Sequence, residues 1–147
     1  MMGYYKLNQD TASSIIDGWL RTGDMAQIDE DGYVSIMERK KDLIIHKGLN
    51  VYPSEVEAVL LQRKEIAEVA VVGAYDGANG EVPEAFIVFH ADMSVPESEL
   101  KRLCKENLAA YKIPRRFHFA PQLPKTSTGK IKKAELKAGL QSRDSSG

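Results

Sequence analysis

The chain has 147 residues, enough for one ordinary domain or a small domain with an extension. Its 43% hydrophobic and 28% charged residues are a normal globular balance, and a net charge of -1 excludes a generally basic nucleic-acid binder. The charge is uneven. Residues 111–143 carry nine Lys and Arg against one acid, Glu135, while the first 110 residues carry 11 basic and 19 acidic groups. A basic tail on an acidic body suggests local anion binding, but composition alone favours the plainer reading of a solvated, Lys-rich final helix. The sole cysteine, Cys104, permits no internal disulfide, which suits a reducing, cytoplasmic setting. Met1–Lys6 lacks the apolar run of a signal peptide, and no stretch approaches a membrane span.

In chain order, Asp10-Thr11 is expected to open a short helix to about Ile16, ended by Asp17-Gly18. Met25–Ile28 and Tyr33–Met37 read as strands around Asp29-Glu30-Asp31-Gly32, a hairpin signal. The charged knot Glu38–Asp42 has no apolar anchor, and we place a domain boundary there. Leu43–Ile45 reads as a short strand, followed by a turn at His46-Lys47-Gly48-Leu49-Asn50. Pro53-Ser54-Glu55 starts a helix, because Pro is tolerated and Glu favoured in the first turn. Val56, Val59 and Leu60 give that helix an apolar face.

Val69–Val72 and Ala85–Phe89 are nearly continuous apolar runs, as expected of central strands, with a loop at Asp76–Gly80 between them. Ser94–Glu97 opens a second helix, with Leu100, Leu103, Cys104 and Leu108 on one side, so Cys104 reads as a core residue. Phe117 and Phe119 alternate with polar neighbours in a further strand. Residues 121–130 read as a loop, and a basic helix runs from Lys132 to Leu140. The reading is α+β: a small mixed or antiparallel sheet with packed helices, preceded by a β-hairpin segment. Residues 141–147 read as a disordered tail.

Three segments invite a chemical reading. Pro124–Lys130 differs from a phosphate-binding P-loop, having Pro124 where the first glycine belongs and Ile131 after the lysine. What remains is a hydroxyl-rich loop presenting Lys130, a mobile point charge that could reach a phosphate or carboxylate. Arg21-Thr22-Gly23-Asp24 sets a carboxylate in a tight turn, where it could accept two ribose hydroxyls. Arg39, beside Lys40 and Lys41, could donate to sugar and phosphate together. Taken singly, each segment reads more simply as an exposed loop lysine, a turn aspartate and a solvated charge run. His90 and His118 read as structural, because no metal-ligand spacing links them, and His46 as a turn histidine that could face a ligand.

Together these segments resemble the adenylate-forming superfamily, which includes acyl-CoA synthetases, aryl-CoA ligases, beetle luciferases and peptide-synthetase adenylation domains. The resemblance covers about residues 3–140. The pattern Gly-Trp-Leu-x-Thr-Gly-Asp appears at Gly18–Asp24, Arg-x-Lys-Asp at Arg39–Asp42, Lys-Gly-x-Asn-Val-Tyr-Pro-x-Glu-Val-Glu at Lys47–Glu57, and Pro-Lys-Thr-x-x-Gly-Lys at Pro124–Lys130. Four motifs in order are far more specific than any one.

The resemblance implies the C-terminal part of an AMP-forming acyl-CoA synthetase. Residues 1–37 would end a large adenylation domain, 38–41 would be a hinge, and 42–140 a mobile lid. It implies that a carboxylic acid reacts with ATP and Mg²⁺ to give an acyl-adenylate, which CoA then takes up, with no cofactor bound tightly by this segment. It gives Asp24 and Arg39 to the nucleotide, Lys41 to the hinge, Lys130 to adenylation, and His46, Lys47, Gly48, Leu49 and Asn50 to the thioester step. The partner is the large N-terminal domain of the same polypeptide. By itself the segment is expected to turn over nothing.

In one respect the chain departs from the family. Luciferases and many plant aryl-CoA ligases have a lysine where this chain has Ile45, which tilts the reading toward a fatty-acid–CoA ligase. The alternatives are a peptide-synthetase adenylation domain, a non-catalytic interaction module retaining the fold, and a free-standing nucleotide-binding domain.

Overall fold

The computed structural model describes residues 12–144, which fall into two compact units divided between Lys41 and Asp42. The expected helix start at Asp10-Thr11 lies outside the described residues. Residues 12–14 are helical, but Ile15–Ile16 (β1) is not: it pairs antiparallel with Trp19–Leu20 (β2). The reason is local. Asp17 and Gly18 both adopt positive φ, 50° and 82°, the conformation of the tight two-residue hairpin turn, and β-branched isoleucines suit a strand.

The next hairpin joins Asp24–Ile28 (β3) to Val34–Arg39 (β4). The Asp29 carboxylate closes its turn, accepting from the N–H groups of Asp31 at 3.0 Å and Tyr33 at 2.9 Å. Register slips between Met25 and Ala26, where β4 holds one extra residue. Glu38 and Arg39, expected in an irregular knot, continue β4, and Lys40–Asp42 forms a 3₁₀ turn.

In the second unit Ile44–His46 (β5) pairs with Leu49–Val51 (β6). The expected five-residue turn therefore shrinks to Lys47-Gly48, at φ 49° and 79°, and His46, Leu49 and Asn50 are strand residues. Helix α1 spans Pro53–Leu60 and α2 spans Glu97–Asn107. The main sheet is mixed, as expected. Ile66–Tyr75 (β7) is antiparallel to Glu81–Phe89 (β8), and Arg116–Phe119 (β9) runs parallel to β8, in the order β7-β8-β9.

Both faces of this sheet are covered, which is why Val69–Val72 of β7 and Ala85–Phe89 of β8 are continuous apolar runs. Val69, Val71, Ala85 and Ile87 meet Val56 and Leu60 of α1 and Leu100 and Cys104 of α2. Ala70, Val72, Val82 and Val88 lie under Leu136 and Leu140 of the last helix, with Leu123 beside them. That helix, α3, spans Lys133–Asp144, so the ordered chain continues past Leu140 and residues 141–144 are not a disordered tail. Its apolar residues at 136 and 140 are one turn apart, and residues 141–144 extend the same helix by one turn. Residues 145–147 lie outside the described residues.

Candidate functional site

Of the residues singled out in the first unit, the structure brings two together. Asp24 opens β3 and Arg39 closes β4, directly opposite each other in the ladder. Arg39 Nε stands 3.8 Å from Asp24 Oδ1. Gly23, at φ 76°, makes the bend that turns the chain into β3, and its carbonyl accepts from Lys40 N–H at 2.8 Å. Thr22 Oγ1 accepts from Asp24 N–H at 3.3 Å. A carboxylate and a guanidinium thus sit side by side at the open base of a hairpin, one accepting and the other donating. Lys41 is exposed in the 3₁₀ turn that follows.

In the second unit, the Lys47-Gly48 turn belongs to a hairpin that is clamped rather than free. Lys47 N–H donates to Asn79 O at 2.8 Å, and His46 forms a β-bridge with Gly80. The His46 ring is half-buried, with Nδ1 2.8 Å from Glu81 O. His46 therefore anchors the hairpin to the start of β8 and does not face outward as a turn histidine. Gly80 makes the close approach possible. At φ 80°, a Cβ there would lie 2.7 Å from the Ile45 carbonyl oxygen. Ile45, Leu49 and Asn50 remain exposed beside the turn.

The Lys130 loop also has more internal structure than a flexible segment. Lys125 and Ile131 bridge across its base. Thr126 N–H donates to Lys130 O at 2.7 Å, Gly129 N–H donates to Thr126 O at 2.9 Å, and Thr126 Oγ1 accepts from Lys130 N–H at 3.2 Å. Gly129 takes φ 86° to close the turn.

The basic tail is largely neutralised. Lys112 meets Glu55, Arg115 meets Asp76, Lys125 meets Glu68, Lys132 meets Glu135, Lys133 meets Glu57 and Lys137 meets Glu81. Five of those six acids lie in the body before residue 111. The charge asymmetry of the sequence thus reflects pairing between body and tail more than an anion-binding patch. Lys130 makes no ion pair among the described residues and is exposed.

Lys125 anchors this loop to Glu68 near one end of the β7–β8 ladder, while the Lys47-Gly48 hairpin is anchored to Gly80 and Glu81 at the other. Glu68 and Tyr75, the ladder partner of Glu81, are seven residue steps apart along β7, so the anchor points are roughly 20–25 Å apart.

Elsewhere, a cleft of about 410 Å³ is lined by Tyr75, Asp76, Val82, Glu84, Arg115 and Arg116. Hydrogen bonds from Asn79 and Arg115 hold the Asp76 carboxyl below its usual range. Glu84 is buried and partnered by His118 Nε2 at 2.6 Å, with the imidazole stacked on Phe86. Among the described residues no three His, Cys, Asp or Glu side chains cluster as a metal cage, and no helix is long and apolar enough to cross a membrane.

Comparison with known proteins gives one consistent result. The profile of the family described as AMP-binding enzyme C-terminal domain matches residues 55–130. A 2-succinylbenzoate–CoA ligase of Bacillus pumilus is 44% identical over 138 residues, covering 94% of this chain and 28% of the relative. A long-chain-fatty-acid–CoA ligase of Salmonella typhimurium is 42% identical over 137 residues, covering 93% of this chain and 24% of the relative. The solved structure of o-succinylbenzoate CoA synthetase from Bacillus subtilis, in complex with the acyl-adenylate intermediate OSB-AMP, superposes with a TM-score of 0.87 at 41% identity. That match covers 93% of this chain and 28% of the other. The chain therefore spans about a quarter of the length of these relatives.

Proposed function

The chain belongs to the AMP-binding enzyme C-terminal domain family, and from that premise we propose that it serves as the mobile lid of an ATP-dependent, AMP-forming carboxylate–CoA ligase. In the first half-reaction an oxygen of the substrate carboxylate attacks the α-phosphorus of ATP. The bond from that phosphorus to the β-phosphate bridge breaks, and pyrophosphate leaves. In the second, the CoA sulfur attacks the acyl carbon, AMP departs with the bonding pair, and the thiol proton passes to solvent. Mg²⁺ enters with ATP as part of the substrate.

The observation that carries this reading is the isolation of Lys130. The cations next to it in sequence, Lys125, Lys132 and Lys133, are all bound to carboxylates, whereas Lys130, one residue before the base of a closed loop, has no ion-pair partner among the described residues. An unpaired ammonium on a fixed support is what negative charge developing between carboxylate and phosphate requires. Asp24 would accept the ribose hydroxyls and Arg39 would donate to the same sugar. His46, Lys47, Gly48, Leu49 and Asn50 would line the path of the thiol. In that role His46 fixes the hairpin from behind, and Gly48 and the exposed Leu49 and Asn50 meet the ligand.

The anchoring of Lys130 and of the hairpin at opposite ends of one ladder supports a lid that presents one end for each half-reaction. In this scheme residues 1–37 close the large domain, 38–41 pivot about Lys41, and 42–140 swing. The break between compact units after Lys41 supports that division. So does the apolar surface of the first unit, where Trp19 is 80% exposed, Tyr33 73% and Ile36 70%: such side chains call for a covering body of protein.

Within the substrate class we place a fatty acid first. Ile45 stands where the luciferase-like enzymes carry lysine, and a long-chain-fatty-acid–CoA ligase is among the relatives. The 44% identity to a 2-succinylbenzoate–CoA ligase favours an aromatic succinylated acid as the second reading. The test is to incubate the full-length protein with ATP, CoA and either palmitate or 2-succinylbenzoate, and to follow AMP release. AMP formed with palmitate supports the first reading and AMP formed only with 2-succinylbenzoate the second. ATP cleaved to ADP, or no acid-dependent AMP with either, contradicts the ligase assignment.

A further inference from the structure

The segment that carries Lys130 is tied down at a point that its own sequence does not reveal. Lys132 N–H donates to Pro124 O at 2.8 Å and closes the loop, and Lys133 then begins α3. Lys133 Nζ lies 2.7 Å from Glu57 Oε1, with the two side chains 21% and 19% exposed. The same carboxylate oxygen accepts the Val71 N–H at 2.9 Å. β7 is the edge strand of its sheet, and among the described residues this N–H meets the Glu57 carboxylate of α1 in place of a further strand. One oxygen of Glu57 therefore joins α1, β7 and the first turn of α3, three residues beyond Lys130.

Glu57 is well placed to act as a rigid support. Its helix is fixed by Val56, Val59 and Leu60, all buried against the sheet. Its hydrogen bonds are charge-assisted and largely screened from water, where such bonds keep their strength. By contrast, the Lys132–Glu135 pair is local and exposed, and pairs of that kind position little. Without Glu57, a buried-edge N–H and a half-buried ammonium would both lose their partner, and α3 would be free to shift with the loop ahead of it.

We propose that Glu57, through Lys133, is a positioning residue for Lys130. The proposal rests on the adenylation role given to Lys130 above, so its test separates the two. In the full-length protein, Glu57→Gln keeps an acceptor for the Val71 N–H but removes the charge, and Lys133→Met keeps the aliphatic stem. Each is expected to slow acid-dependent ATP–pyrophosphate exchange about 10-fold in kcat, since displacement of a catalytic group by about an ångström can cost up to ~10²-fold. Thioester formation from supplied acyl-adenylate should stay within about twofold, and Lys133→Arg should restore most of the exchange. On a Lys130→Ala background, Glu57→Gln should slow exchange no further, because residues acting as one unit are not additive. Nitrogen-15 relaxation should show residues 126–130 loosened and the core around Val56 and Leu100 unchanged.

Unchanged exchange with unchanged loop relaxation would overturn the proposal, as would equal losses in both half-reactions or additive losses with Lys130→Ala. If Lys130→Ala itself leaves exchange intact, the role of Lys130 fails, and the relaxation of residues 126–130 still decides whether Glu57 anchors the loop.

Discussion

Asp24 and Arg39 face each other across the base of the β3–β4 hairpin, at 3.8 Å, with the carboxylate partly sheltered and the guanidinium 57% exposed. At that distance in water the pair is weak, and both groups keep hydrogen-bonding capacity for a ligand. Loss of a charged hydrogen bond costs about 1.5–3 kcal/mol. Asp24→Asn or Arg39→Lys in the full-length protein should therefore raise KM for ATP by roughly 10–100-fold. The melting temperature should hardly move. Initial-rate kinetics and calorimetry check both. A large drop in stability with unchanged KM would make the pair a structural clasp instead.

Cys104 is buried on α2, and burial pushes its thiol up to about 11 from 9.0. The unfolded thiol ionises first as pH rises, so stability should fall between pH 9 and 11 and lose nothing to this group below pH 9. The loss is bounded at roughly 2–3 kcal/mol. Denaturant titrations should show this slope and find it abolished in Cys104→Ala. Maleimide should label the thiol only as fast as the protein opens. Rapid labelling of the native chain at pH 7 would show the site to be accessible.

Residue patterns revealed the elements of the second unit well, because α1, α2, β7 and β8 each bury long apolar sets whose period follows from their geometry. They failed at Ile15-Ile16, where a positive-φ turn at Asp17-Gly18 overrides a helical reading, and at residues 141–144, where polar side chains hide the last turn of α3. The candidate groups Asp24, Arg39 and Lys130 were readable from motifs. Their settings were not. Whether a lysine is free or paired depends on acids far away in sequence: Glu57 and Glu68 lie 76 and 57 residues before Lys133 and Lys125. His46 illustrates the same limit, since its partner is a backbone carbonyl 35 residues away.

Gly80 should tolerate no side chain. Alanine there would combine φ 80° with a Cβ 2.7 Å from the Ile45 carbonyl oxygen. Strain of this kind costs about 1–3 kcal/mol, and release of the β5–β6 hairpin is the cheapest relief. Gly80→Ala should therefore slow thioester formation from acyl-adenylate more than adenylation, with local amide exchange faster at Ile44–Val51. Equal rates in both half-reactions would show that the docking of this hairpin does not matter for the thiol step.

Lys41 lies exposed in the 3₁₀ turn at the division between the compact units. Proline there fixes φ and removes an N–H. Lys41→Pro should slow the thioester step several-fold more than adenylation, on the expectation that the second step needs the swing. Single-turnover kinetics of each half-reaction measures this. A variant slowed mainly in adenylation would place the pivot elsewhere.

In the proposed lid, Lys130 delivers its charge to the adenylation step. The most direct measurement is Lys130→Ala in the full-length protein, with the two half-reactions assayed separately. Acid-dependent ATP–pyrophosphate exchange is predicted to fall by at least ~10²-fold, the usual scale for losing one preorganised charge partner, while conversion of supplied acyl-adenylate and CoA to thioester stays near its original rate. Equal losses in both half-reactions, or exchange that survives intact, would contradict this role of Lys130.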